Sequence, residues 1–406
     1  MPGVLPPGTP VPPDGALPSS AAAQLGQRPL GFYVHVPFCQ RRCGYCDFNT
    51  YTAAELGPGV SRDTYPALAA AEVRLARRVL GDAGGPVATV FFGGGTPTLL
   101  PADQLAEILR VIEGEFGLAP GAEITVEANP ESVDEKSLAA LREAGFTRIS
   151  LGMQSAAPHV LAVLDRVHEP GRPARCAGWA REAGFEHVSL DLIYGTPGQT
   201  DADWRESLEA ALAAGPDHIS GYALIVEEGT RLAAQVRRGE VAVPDDEAMA
   251  DRYLAADGLL SARGLGWYEV SNWAAAPEAR CQHNLLYWTG GHWWGVGPGA
   301  HSHVGGVRWW NVKHPAAYAA RLTAGTSPGL AREVLTGPER RLEEIMLLTR
   351  LDSGCPVGLL TPAGQGAAHT AVADGLAEQD AYAAGRVVLT TRGRLLADAV
   401  IRGLTD

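Results

Sequence analysis

Residues 33–49, YVHVPFCQRRCGYCDFN, place Cys39, Cys43 and Cys46 in C-x3-C-x2-C spacing directly after a β-branched run. Three thiolates hold three irons of a [4Fe–4S] cluster and leave the fourth iron open to a small molecule, unlike a fully ligated electron-transfer cluster. The alternative is zinc or free thiols. Structural zinc wants four closed ligands, usually in paired knuckles, and the chain has no second C-x2-C. His35 lies too near along the same strand to complete a tetrahedron easily. The spacing therefore favours a cluster with an open position.

Outward from this loop, short apolar runs alternate with longer helical patterns. Strands are predicted at 32–36, 87–92, 123–127, 148–152, 187–193 and 218–225. Helices are predicted between them at 65–80, 102–116, 134–144, 171–183 and 202–214. Near-continuous apolar strands alternating with helices imply a parallel sheet covered by helices. The segments LREAGFTRIS, AREAGFEHVS and ALAAGPDHIS form an internal repeat. Each ends a helix at Gly145, Gly184 or Gly215 and places a serine (Ser150, Ser189, Ser220) in the following strand. Glycine after the last helical turn enters the left-handed region freely. Six such units predict an α/β fold, a full or partial (β/α)6 barrel, with a doubly wound open sheet as the competitor.

A barrel carries its functional residues at the carboxyl ends of its strands. The cysteine loop follows strand one, and Gly93-Gly94-Gly95-Thr96-Pro97 follows strand two. Glu127 closes strand three, Gln154 follows strand four, and Asp191 lies late in strand five. A glycine triplet lets backbone approach a ligand closely. Glu127, Gln154, Arg166 and Asp191 add polar groups near the same rim, and a guanidinium such as that of Arg166 pairs bidentately with a ligand carboxylate.

Composition sets further limits. The 406 residues suit one large or two ordinary domains, and six cysteines in this length are no disulfide framework. Reduced thiols and an oxygen-sensitive cluster point to the cytoplasm. A formal net charge of −13 argues against a non-specific nucleic-acid partner. Residues 1–28 hold seven prolines and only two charges, and are expected to be a disordered tail rather than a signal peptide. No apolar run of about 18 residues predicts a transmembrane helix.

The segment 266–329 differs from the rest. Seven of nine tryptophans fall between Trp267 and Trp310, and five of eleven histidines between His283 and His314. Flat aromatic faces beside imidazoles suit a planar, metal-centred ligand such as haem, with an ordinary aromatic core as the alternative. Residues 330–406 carry a predicted helix at 338–350, a strand at 387–390 and a final helix from about 393.

The cysteine loop with Tyr45 before its last cysteine, followed by GGGTP, resembles the radical S-adenosylmethionine (SAM) superfamily. YVHVPFC, FFGGGTP, EANP, SLGMQS and DLIYGTPGQT resemble, more narrowly, the oxygen-independent coproporphyrinogen III oxidase group, over roughly residues 30 to 402. The resemblance implies a partial barrel at 29–265 and a small, helical, winged-helix-like domain at 330–406. It implies cluster ligation by Cys39, Cys43 and Cys46. SAM contacts are implied at Tyr33, Tyr45, Gly93, Gly94, Gly95, Thr96 and Glu127, with Gln154, Arg166, Asp191 and Ala223 contacting SAM or a second SAM. The run His283-Asn284-Leu285-Leu286-Tyr287-Trp288, and Phe48 where the oxidase has a further cysteine, resemble the haem chaperone branch. That branch implies His283 as haem ligand, with Cys281 nearby. It also implies unknown haem-acceptor proteins such as respiratory enzymes, a low-potential electron donor such as flavodoxin or ferredoxin, and no coproporphyrinogen oxidase activity. The remaining readings are the oxidase itself and a radical enzyme that modifies or degrades haem.

Overall fold

The inner strands do not run continuously apolar; their side chains alternate, and that alternation builds the molecule. In the computed structural model, which describes residues 8–243 and 245–405, six strands lie parallel in chain order: β1 (Leu30–Val36), β2 (Val87–Gly94), β3 (Leu118–Ala128), β4 (Arg148–Gln154), β5 (His187–Tyr194) and β6 (His218–Ala223). Phe32, Val34, Phe92, Val126, Leu151 and Leu190 belong to one continuous core and face the covering helices. The intervening residues, among them Thr125, Glu127, Ser150, Asp191 and Ser220, face a common interior cavity. Period-two patterning thus separates an apolar outer face from a polar inner one.

The covering helices are α1 (Tyr65–Leu80), α2 (Ala102–Phe116), α3 (Glu135–Glu143), α4 (Arg172–Glu182) and α5 (Asp201–Ala213), close to the predicted spans. Asp134 and Thr200 start α3 and α5 with capping boxes. Gly145, Gly184 and Gly215 follow α3, α4 and α5 with φ of +100°, +88° and +69°, as the repeat requires.

The sheet continues on both sides and has 13 strands. Beyond β6 come β8 (Asn272–Ala274) and β7 (Gly266–Glu269), both antiparallel additions. Beyond β1 lies β9 (His292–Val296), parallel to it, then the antiparallel β10 (His301–Val304), β11 (Val307–Asn311) and β12 (Gly329–Val334). The sheet stays open, so the barrel is partial. Residues from β2 through β6 nonetheless line one cavity, which a curled sheet allows. The tryptophan- and histidine-rich segment therefore supplies sheet strands, together with the helix α6 (Gln282–Trp288).

Residues 8–28 are ordered, contrary to the expected disordered tail; residues 1–7 lie outside the described residues. Thr9–Pro10 pairs with β12 as an edge strand. Pro13 O accepts from Ser327 N and Ala16 O from Arg332 Nη1. An edge strand needs donors on one side only, so prolines fit there. Ala21 is fully buried.

The chain's end forms its own core around Ile345, Leu360, Val387 and Leu404. It contains α7 (Gly337–Leu348), helices Pro362–Ala373 and Ala397–Thr405, and a two-stranded ribbon of Cys355–Pro356 with Arg386–Val387. The predicted 387–390 strand shrinks to that ribbon. The Arg394–Asp257 and Arg280–Asp352 ion pairs, at 2.7 and 2.6 Å, tie this unit to the rest.

Beneath the cavity lies a buried pair, Arg148 Nε to Glu123 Oε2 at 2.8 Å. Arg148 also donates to Ala279 O and Arg280 O, while Glu123 accepts from the backbone N–H of Gln282 and His283. The pair thereby satisfies the amino end of α6. Removing one partner of such a pair leaves a buried charge uncompensated. Glu123→Ala is expected to lower stability by about 3–5 kcal/mol in urea unfolding. Replacing Glu123 and Arg148 together with Met should recover part of that loss.

Candidate functional site

The cysteine loop is held from both ends by backbone. Cys39 N donates to Tyr51 O, Tyr51 N to Pro37 O, and Thr96 N to Phe38 O. Gly95 needs to be glycine: a Cβ would meet Phe38 O at 2.4 Å and Cys39 Sγ at 3.1 Å. Asp165 pins the loop's far side through Arg41 at 3.1 Å. It also packs so tightly on Gly44 that a Cβ there would meet its Oδ2 at 2.7 Å. Asn49 Nδ2 donates to both Pro298 O and Lys313 O, which anchors the loop to the extended part of the sheet.

The three cysteines line a cavity of about 460 Å³ at the carboxyl ends of β1–β6, with Tyr45, Gly94, Gly95, Thr96, Glu127, Gln154, Arg166, Asp191 and Ala223 around it. The predicted rim residues converge there. Arg166 donates from Nη2 to Asn129 Oδ1 (2.6 Å) and Gly152 O (3.0 Å), and Asn129 Nδ2 donates to Thr96 Oγ1 (2.8 Å). Gln154 sits at φ +64°, a left-handed conformation uncommon for a side-chain-bearing residue and frequent at ligand sites.

Three predicted site residues fall elsewhere. Gly93 does not line this cavity; it packs beside Glu127 and Tyr33, where a Cβ would meet each at 3.0–3.1 Å. Tyr33 faces a second cavity on the other side of the loop, with its hydroxyl 3.1 Å from His35 Nδ1. His283, the expected haem ligand, is 1% exposed. Its Nδ1 pairs with Thr89 Oγ1 and its Nε2 with Tyr287 Oη, both at 2.8 Å, and its ring stacks on Phe91. With both nitrogens engaged, no ring atom is left to coordinate a metal in this conformation. Cys281 is likewise no thiolate candidate: it is buried, its Sγ donates to Glu123 Oε1, and burial pushes its pKa well up.

Sequence reasoning missed Asn129, Thr125 and the cavity role of Ser150, Ser189 and Ser220. The EANP run carried Asn129, the EITVE strand Thr125 and the serine repeat the three serines, without revealing that they face inward. Ser150 Oγ donates to Asp191 at 2.9 Å.

Burial pushes the Cys46 thiol to about 12 and raises Cys39, so their thiolate forms need a neutralising cation. Thr125 Oγ1 and Arg166 Nε are buried without a partner, on the cavity wall. Three cysteines lining one cavity, unsatisfied polar atoms and close-approach glycines fit a [4Fe–4S] cluster with SAM bound beside it.

Comparison with known proteins agrees. The family model for the radical SAM superfamily matches residues 33–211. The heme chaperone HemW of Mycobacterium tuberculosis is 54% identical over 94% of this chain and 96% of that protein. HemW of Synechocystis is 37% identical over 80% of this chain and 79% of that protein. The solved structure of coproporphyrinogen III oxidase from Escherichia coli, at 22% identity, aligns with a TM-score of 0.80 over 95% of this chain and 92% of that one, a likeness of fold.

Burial, reinforced by the charge of Asp191, raises Glu127 from 4.5 to about 8; burial raises Asp191 to about 6. A carboxyl whose folded pKa is raised contributes stability that is complete at acid pH and lost as pH rises through the folded value. The ligand-free protein should therefore lose thermal stability from about pH 5 to pH 8. Glu127→Gln should flatten that decline in melting temperature measured across the same range.

Proposed function

The chain belongs to the HemW family of the radical SAM superfamily, and from that premise we propose that it binds haem and passes it to acceptor proteins, carrying a SAM-coordinated [4Fe–4S] cluster in the cysteine cavity. One observation supports the haem part most. The aromatic segment is only partly spent on the core, where Trp273, Trp294 and Trp309 are buried; Tyr287, Trp288 and Trp293 wall a second cavity of about 1030 Å³. Aromatic walls with a few polar groups are what a large planar ligand needs.

In this reading Cys39, Cys43 and Cys46 hold the cluster. Gly94, Gly95 and Thr96 bring backbone against SAM, and Arg166 with Glu127 meets its carboxylate and ammonium. When bound, the cluster supplies single electrons to SAM. The chain's own residues exclude water and orient SAM; Cys281 also lines the cavity, with its thiol turned to Glu123. Phe48, 62% exposed, stands at the boundary between the two cavities and offers no extra sulfur. A low-potential donor such as flavodoxin or ferredoxin would reduce the cluster, and respiratory enzymes are candidate acceptors in the cytoplasm. Among the described residues no helix is long and apolar enough to cross a membrane.

The test is haem titration of anaerobically reconstituted protein together with a coproporphyrinogen III assay containing SAM and reductant. Saturable binding with one haem per chain and no protoporphyrinogen is expected. Robust protoporphyrinogen formation would establish the oxidase instead, and haem loss coupled to SAM cleavage would establish a haem-modifying enzyme.

A further inference from the structure

The second cavity lies between β9–β11, the end of α6 and the inner face of α7. Four histidines line it: His35, His292, His301 and His303. Three of them have both ring nitrogens engaged. His35 pairs with Tyr33 Oη and Asn49 O. His292 pairs with Gln24 O and accepts from Gly305 N. His303 pairs with Gly291 O and accepts from Gly306 N. These rings are structural, with both nitrogens of each engaged by neighbouring backbone or, for His35, by Asn49 O and the Tyr33 hydroxyl.

His301 differs. Among the described residues neither of its ring nitrogens makes a hydrogen bond, and the residue is exposed to the cavity. Its position is nonetheless fixed. Its backbone pairs with Trp310 across the β10–β11 ladder, its carbonyl accepts from Trp293 Nε1 at 3.0 Å, and its ring stacks on Trp310 with centroids 6.0 Å apart. A rigid root with a free imidazole is what metal ligation requires.

The rest of the wall completes the chemistry of an iron porphyrin. Trp293 and Trp288 supply aromatic faces, and Met346 and Leu347 of α7 supply an apolar one. Lys313 and Arg340 also line the cavity, and neither has a carboxylate within ion-pair distance among the described residues. Two cations without counter-charges suit the two propionates of haem.

Resting on the haem reading above, we propose that haem occupies this cavity with His301 as axial ligand to its iron and with its propionates on Lys313 and Arg340. His283 then acts as a positioning residue: it holds the Tyr287 hydroxyl from behind and touches no haem atom.

The test compares wild type, His301→Ala, His301→Gln and His283→Ala in anaerobic titrations with haem and with iron-free protoporphyrin IX. Both His301 variants should bind haem at least tenfold more weakly, with an altered Soret band, while protoporphyrin IX affinity stays within twofold. Added imidazole should restore the wild-type haem spectrum of His301→Ala. His301 is exposed and makes no side-chain hydrogen bond, so urea midpoints of its variants should match wild type. An unchanged Soret band and haem affinity in both His301 variants would overturn the assignment. So would loss of both porphyrins alike, or a ligation change seen only in His283→Ala. Failure of wild type to bind haem at all would instead remove the haem reading itself.

Discussion

The Glu123–Arg148 ion pair is the constraint on which the lower half of the molecule rests. A charge buried that deeply is tolerated only when every remaining lone pair and proton is used, and here the backbone from Ala279 to His283 uses them. The requirement runs both ways. The pair needs the start of α6 inside the sheet's curl, and α6 needs the pair to satisfy its amino end. Once α6 is seated, His283 is pressed against Thr89 and Phe91, and Tyr287 and Trp288 are delivered to the wall of the second cavity. The position of that wall is therefore set from the floor of the first.

Above the floor, one-residue alternation does the sorting. Ile149, Leu151 and Met153 face the helices while Ser150, Gly152 and Gln154 face the interior. An inner face lined with carboxylates, serines and an arginine is a poor core but a good binding site. Its groups are only partly satisfied by one another, as the unpartnered Thr125 Oγ1 and Arg166 Nε record. A second deep carboxylate, Glu72, does for the extension what Glu123 does for α6. It accepts from Gly297 N, Asn311 Nδ2 and Tyr318 Oη, fastening the extended sheet to α1.

What was legible in the sequence was what local pattern encodes. Cysteine spacing is local, and strand ends follow from apolar runs and glycine stops, so the rim from Cys39 to Asp191 could be read directly. Which way a residue points relative to a distant partner is not local. His283 looked like a ligand because it is polar within an aromatic run, yet its role is decided by Thr89, 194 positions away. Tyr33 sits on the right strand but meets the other cavity, because β9 pairs beside β1. His301 shared its composition with four neighbouring histidines, and only their hydrogen bonds distinguish it. The proline-rich start read as disorder because composition cannot show that a sheet edge is waiting for it.

That edge has a further consequence. An open sheet of 13 strands would ordinarily end in a row of free amides and carbonyls on which other chains can stack. Here the last strand on one side is Thr9–Pro10, continued by Pro12 and Pro13, and proline contributes no amide proton. The segment closes the sheet against unlimited growth. A chain stripped of it would present β12 as a bare template, so its loss would show first as self-association and only secondarily as a change at either cavity.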